Sequence, residues 1–180
     1  MNSRLMICKF LCQIIYSDTL KAEKTNAARI LDKAKIRYEI IPYKVDEDDL
    51  SAVHVAGQLN EPVERVFKTL VLKGDKTGYF VCVIPGDEEV DLKKAAAISG
   101  NKSCDMIPMK ELLPVTGYIR GACSPVGMKK NFQTYIHETC IMYDKIYVSA
   151  GKRGLQLFVS PKDLIVEVKA KVAFLINRVD

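Results

Sequence analysis

The sequence predicts a single α+β domain with a mixed, curved, partly barrel-like β-sheet surrounded by helices. Three observations carry that expectation. Strand-like segments dominate the middle of the chain, capped helical segments lie around them, and the two do not alternate in the βαβ rhythm of a parallel sheet. At 180 residues the chain can bury a real core in one domain and is short for two. Its composition, 48% hydrophobic and 27% charged, is that of an ordinary globular protein.

The elements follow in order. Residues 1–18 are apolar, are interrupted by Lys9 and lack a small-residue cleavage site; they open the stretch 1–23. That stretch is expected to be a loose extension or an artefact of the assigned start, ahead of a domain spanning 24–180. Thr25 caps a helix through about Ala34, with Ala28, Leu31 and Ala34 on one face. Residues 37–43 read as a strand, 44–50 as an acidic loop, and 50–59 as a helix. "FKTLVLKG" (67–74) and "YFVCVIP" (79–85) form a hairpin around "DKTG". A helix over 90–100 stops at Gly100. Strands are expected at 134–139, 145–151 and 154–160. Ser160, Pro161 and Asp163 then open a final helix as cap, first-turn proline and dipole-paired acid.

Composition narrows the function classes without choosing one. The net charge of +5 suits a polyanionic partner such as RNA, though many proteins without one are as basic. The six cysteines form no CxxC pair, and His54 and His137 stand in no metal-ligand spacing. Reduced, mostly buried thiols in a cytoplasmic protein are the expectation. No apolar run reaches membrane-spanning length.

Four features can carry chemistry. Lys68, flanked by Thr69 near a strand start, reads either as an edge lysine that discourages strand pairing or as an ammonium held for a phosphate or carbonyl oxygen. "GACSPVG" (121–127) reads either as a tight turn or as a backbone cradle for an anion or ester oxygen. "SAGKRG" (149–154) joins two glycines to Lys152 and Arg153, again a basic turn or part of a phosphate site. Cys123 beside Ser124 raises a covalent mechanism, yet no histidine lies near it in sequence. Nucleophile elbow, zincin, Walker and dinucleotide motifs are absent.

Taken together, "FKTLV" (67–71), "GYIRGACSPVGMKK" (117–130) and "YVSAGKRGL" (147–155) resemble the YbaK/EbsC/ProX family of aminoacyl-tRNA deacylases. "KTNAARILDKAKIRYEIIPY" (24–43) and "VSPKDL" (159–164) extend the likeness over almost everything from Lys24 onward. The resemblance implies hydrolytic editing of mischarged tRNA without a cofactor or metal. The branch it is most similar to is the free-standing cysteinyl-tRNA(Pro) deacylases.

By that resemblance Lys68 is the essential polar residue. Gly121, Ala122, Ser124 and Pro125 bind the aminoacyl end, and Tyr43 lines the pocket. Ser149, Gly151, Lys152 and Arg153 form the second glycine-basic turn, and Thr69 adds a hydrogen bond. Many relatives have a second glycine where this chain has Ala122, whose methyl group would narrow the cradle. The substrate's own thiol is implied to attack the ester as a cyclic thioester forms, a lyase-like route needing no protein nucleophile. Lys129, Lys152 and Arg153 would face the acceptor stem, with prolyl-tRNA synthetase as a partner that selects the tRNA. The alternatives are an alanyl-tRNA(Pro) deacylase and a non-catalytic module that binds tRNA or a synthetase.

Overall fold

A computed structural model describes residues 24–177. The extension expected at 1–23, with Cys8 and Cys12, and the last three residues lie outside the described residues. Within them the chain forms two open sheets. Helix α1 (Asn26–Lys33) is capped by Thr25, whose Oγ1 accepts from the Ala28 N–H at 3.2 Å. It buries Ala27, Ala28 and Leu31, while Ala34 ends the helix and is exposed, so Ala27 takes the buried place expected for Ala34.

Strand β1 (Tyr38–Pro42) precedes α2 (Ala52–Leu59), which Ser51 caps and Asn60 ends in the left-handed conformation. The hairpin pairs β2 (Phe67–Gly74) with β3 (Gly78–Pro85) from Phe67–Pro85 to Gly74–Gly78. Its turn is latched by Asn101, whose side-chain oxygen accepts from the Lys76 and Thr77 N–H groups at 2.9 Å each. Then come α3 (Leu92–Ile98), capped by Asp91, and the three-residue β4 (Cys104–Met106). Helix α4 (Met109–Thr116) ends at Gly117, at φ 84°. Strands β5 (Gln133–His137), β6 (Ile146–Ser149) and β7 (Leu155–Val159), helix α5 (Pro161–Glu167) under its Ser160 cap, and β8 (Lys171–Ala173) complete the chain.

One sheet has the order β4-β2-β3-β5-β8 and the other β1-β7-β6. The mixed α+β character expected from the sequence is present, with parallel and antiparallel pairs in the larger sheet, but the partial closure is not. The sheets meet at an isolated bridge from Val66 to Tyr147, and the outer strands β4 and β8 are only three residues long. So short an edge cannot carry a ladder around to the other sheet.

Burial divides the molecule into layers. Phe67, Val71, Val81, Val83 and Ile136 of the larger sheet pack against Val148, Leu157 and Val159 of the smaller one, with α1 and α5 plugging the core. Leu72, Phe80, Cys82 and Ile84 face Ala95 and Ala96 of α3. Tyr147 and Phe158 face α2. The strands thus alternate sides as the period of two requires, and β2 begins at the seam between the sheets.

His137, in the core, carries a consequence for acid stability. Its ring is 1% exposed and its Nε2 has no partner. Burial, helped by Lys94 and opposed by Glu138, holds its pKa below the ordinary 6.5. The unfolded chain therefore binds the proton first, so stability falls with pH from about 6.5 down to the folded-state value and is unaffected above it. Thermal melts from about pH 7 to about pH 5 should show that slope in the wild type and lose this part of it in His137→Phe.

Candidate active site

A cavity of about 350 Å³ opens at the seam, where β2 starts. Its wall draws on five separate stretches: Tyr43 after β1, Leu50 to Ala52 at the start of α2, Phe67 to Val71 of β2, Met106 to Leu112 around β4 and α4, and Arg120, Gly121 and Cys123. Ser149 and Gln156, from β6 and β7, face each other in the ladder and complete it. The Lys68 ammonium lies half-buried here and donates to the Gly86 carbonyl at 3.0 Å. Gly86 is packed so closely that a Cβ there would stand 2.7 Å from Ala52 Cβ and 2.9 Å from the Val66 carbonyl oxygen. Burial pulls the Lys68 pKa below the ordinary lysine value, while Glu89, Asp87 and Glu88 act in the opposite sense.

Two polar groups in this wall are orphans. Thr69 Oγ1 and Gln156 Oε1 are buried and have no hydrogen-bond partner. A buried polar atom without a partner costs about 1–3 kcal/mol, so two in one cavity mark where a ligand would hydrogen-bond. Nearby, the Gly121 and Cys123 N–H groups donate to nothing among the described residues, whereas the Ala122 N–H is taken by the Ile119 carbonyl at 3.0 Å. Gly121 adopts φ 77°, closed to most side chains, and a Cβ there would press 3.2 Å from Leu50 Cδ1. The cavity is therefore lined by two cationic residues, Lys68 and Arg120, by Gly121 and Cys123, whose N–H groups donate to nothing among the described residues, and by an amide oxygen and a hydroxyl that lack partners.

Comparison with known proteins gives the family. Residues 47–166 match the family described as "Aminoacyl-tRNA editing domain". The chain is 50% identical over 143 residues to the Enterococcus faecalis protein named "Putative Cys-tRNA(Pro)/Cys-tRNA(Cys) deacylase EbsC", covering 79% of this chain and 87% of that one. This chain belongs to the aminoacyl-tRNA editing domain family. A proline–tRNA ligase of Thermosipho africanus is 32% identical over 129 residues, which span 63% of this chain but 22% of the ligase. In three dimensions the fold is shared, at a TM-score of 0.73 and 22% identity, with the crystal structure of "a putative trans-editing enzyme for prolyl tRNA synthetase"; the overlap covers 86% of this chain and 99% of that one.

Within this editing domain the residues singled out from the sequence separate into two groups. Lys68, Thr69, Tyr43, Gly121 and Ser149 line the cavity. Ala122, Ser124, Pro125, Gly151, Lys152 and Arg153 are not among its lining residues. The Ala122 methyl is buried and does not narrow the cradle as expected. Ser124 is fully buried and its Oγ accepts from the Val126 N–H at 3.2 Å, so it shapes the loop from within. Pro125 faces a different groove beside α1. Arg153 is held by Glu47 and by the Arg120 carbonyl, tying the second glycine turn to the first.

Tyr118 joins those turns a second time. Its hydroxyl donates to the Val126 carbonyl at 2.6 Å, and a Cβ on Gly151 would lie 2.8 Å from its ring. Cys123 lines the cavity, but burial pushes its thiol pKa up to about 12. Neither His54 nor His137 is a lining residue. Gln156 escaped the sequence reading because a glutamine in an apolar strand resembles an ordinary solvated position. Its place in the ladder opposite Ser149 could have flagged it.

Proposed function

We propose that this chain deacylates mischarged tRNA, with Cys-tRNA(Pro) as its substrate, and that it does so without a nucleophile of its own. The observation that carries the proposal is that Lys68 lines one cavity with Gly121 and Cys123, whose N–H groups donate to nothing among the described residues. An aminoacyl ester is already labile, so catalysis needs positioning and donors aimed at the oxyanion more than an attacking side chain. The acidic run Asp87–Glu89 near Lys68 disfavours a phosphate there, so the ammonium is assigned to the ester carbonyl oxygen. Gln156 Oε1 and Thr69 Oγ1 accept from the substrate's α-ammonium, which would otherwise enter the cavity unpaired.

The cysteinyl thiol then attacks the carbonyl. Sulfur bonds to carbon, the ester C–O bond breaks, and the ribose oxygen leaves with a proton as the tRNA departs. Water opens the resulting cyclic thioester. The 50% identity to the EbsC protein supports the cysteinyl choice, and the occurrence of a related segment in proline–tRNA ligases supports tRNA(Pro) and a synthetase partner.

Purified protein incubated with Cys-, Ala-, Ser- and Pro-tRNA(Pro) tests the proposal. Loss of cysteine ahead of the others is expected. Faster loss of alanine would give the alanyl reading, and no loss from any would leave only a binding module. Cys123→Ser should keep its activity, because a thiol with a pKa of about 12 supplies no thiolate at neutral pH. A dead Cys123→Ser would restore the covalent route.

A further inference from the structure

The cavity lining has two unlike parts. In one stand Leu50 and Ser51, which follow the exposed acids Asp46 to Asp49, and Lys68 with Asp87 to Glu89 around it. At the other, Met106, Met109 and Leu113 expose 45%, 57% and 50% of their surface. Met109 and Leu113, four residues apart on α4, share one helix face. Two exposed cations accompany them: Lys110 in the first turn of α4, and Lys129, whose Nζ donates to the Leu113 carbonyl at 3.3 Å. Among the described residues neither pairs with a carboxylate.

We propose that this face, made of Met106, Met109 and Leu113 with Lys110 and Lys129, receives the unpaired 3′-terminal nucleotides of the tRNA whose ester occupies the cavity. The inference rests on the editing reaction above and adds the route the RNA takes. An ester held between Lys68 and Gly121 must continue into ribose and phosphate at the mouth. The acidic side repels that backbone. The α4 side neutralises it and offers apolar surface on which unstacked bases can lie. A protein partner is the less fitting occupant, because the apolar strip is narrow and the cations beside it are unpaired.

The test uses the full chain with Lys110→Glu and Leu113→Glu, singly and together; both positions are exposed and outside the cavity wall. The probes are an uncharged acceptor-stem minihelix with and without its unpaired 3′ nucleotides, and the cysteinyl ester of adenosine. Wild type should bind the overhung minihelix more tightly than the blunt one. The double variant should lose that preference by about tenfold, and Lys110→Glu should flatten the salt dependence by about 0.7 in log–log slope. Hydrolysis of the adenosine ester should be unchanged.

Equal binding by wild type and variants, or no effect of the overhang, overturns the proposal. So does equal slowing of the adenosine ester, which would place the effect in the cavity. Loss of prolyl-tRNA synthetase binding with RNA binding intact would make the face a protein dock and also overturn it. A wild type that binds the overhang through these residues yet cleaves no ester would instead sink the catalytic reading and leave this one standing.

Discussion

Lys68→Ala is expected to abolish deacylation of Cys-tRNA(Pro) while leaving the fold intact. Removing one preorganised charge from a water-poor site typically costs about 10²–10³ in rate, or about 2.7–4 kcal/mol of barrier. Lys68 is half-buried, so its contribution to an oxyanion is not fully screened. The fold should tolerate the change because among the described residues the side chain makes one hydrogen bond, to the Gly86 carbonyl, and its burial already works against the charged form. Lys68→Met, which keeps most of the stem, should be equally inactive. Single-turnover rates with matched thermal melts check both. An active Lys68→Met would assign the residue to packing alone.

Gly151→Ala is expected to damage both stability and activity. Gly151 sits at φ 87°, where an L-residue pays about 1–2 kcal/mol. The new methyl would also meet the Tyr118 ring at 2.8 Å. Tyr118 is 9% exposed and its hydroxyl is anchored to the Val126 carbonyl, so the ring cannot simply turn aside. The strain therefore passes into the 121–127 loop and moves the Gly121 and Cys123 donors. A displacement of about 1 Å at a reacting centre can cost about 10² in rate. A combined cost of about 2–3 kcal/mol would lower Tm by roughly 5–10 °C for a domain of this size. Gly100→Ala is the control: φ is 76° there too, yet no atom lies within 4 Å of the new methyl. It should lose some stability and no activity.

The parts of the fold with strong local signals were readable in the sequence. Thr25 and Ser160, both read as caps, each accept from a backbone N–H at a helix start. The β2–β3 hairpin follows the alternation and turn composition of its segments. Three elements escaped. Strands β4 and β8 are three residues long, too short to show a period, and α4 carries Pro114 within it, which reads as a helix breaker.

Those omissions also hid part of the site, since Met106 and Met109 lie on the missed elements. Lys68, Thr69, Gly121 and Ser149 were legible because they sit in dense, distinctive motifs. Ser124, Pro125 and Arg153 sit in the same motifs, but sequence spacing cannot distinguish a residue that faces the ligand from one that holds the loop. Burial and hydrogen bonding make that distinction: Ser124 Oγ is turned to the Val126 N–H and Arg153 to Glu47.

The central claim is that a fixed cation and bare backbone donors let the substrate's own thiol break the ester. Comparing cysteinyl- and seryl-tRNA(Pro) in single-turnover assays tests it most directly, because the two esters differ by one atom, sulfur against oxygen. Cysteine should be released faster by on the order of a hundredfold, about 2.7 kcal/mol of barrier, and the difference should vanish in Lys68→Ala. Equal release of serine and cysteine by the wild-type protein would contradict the account.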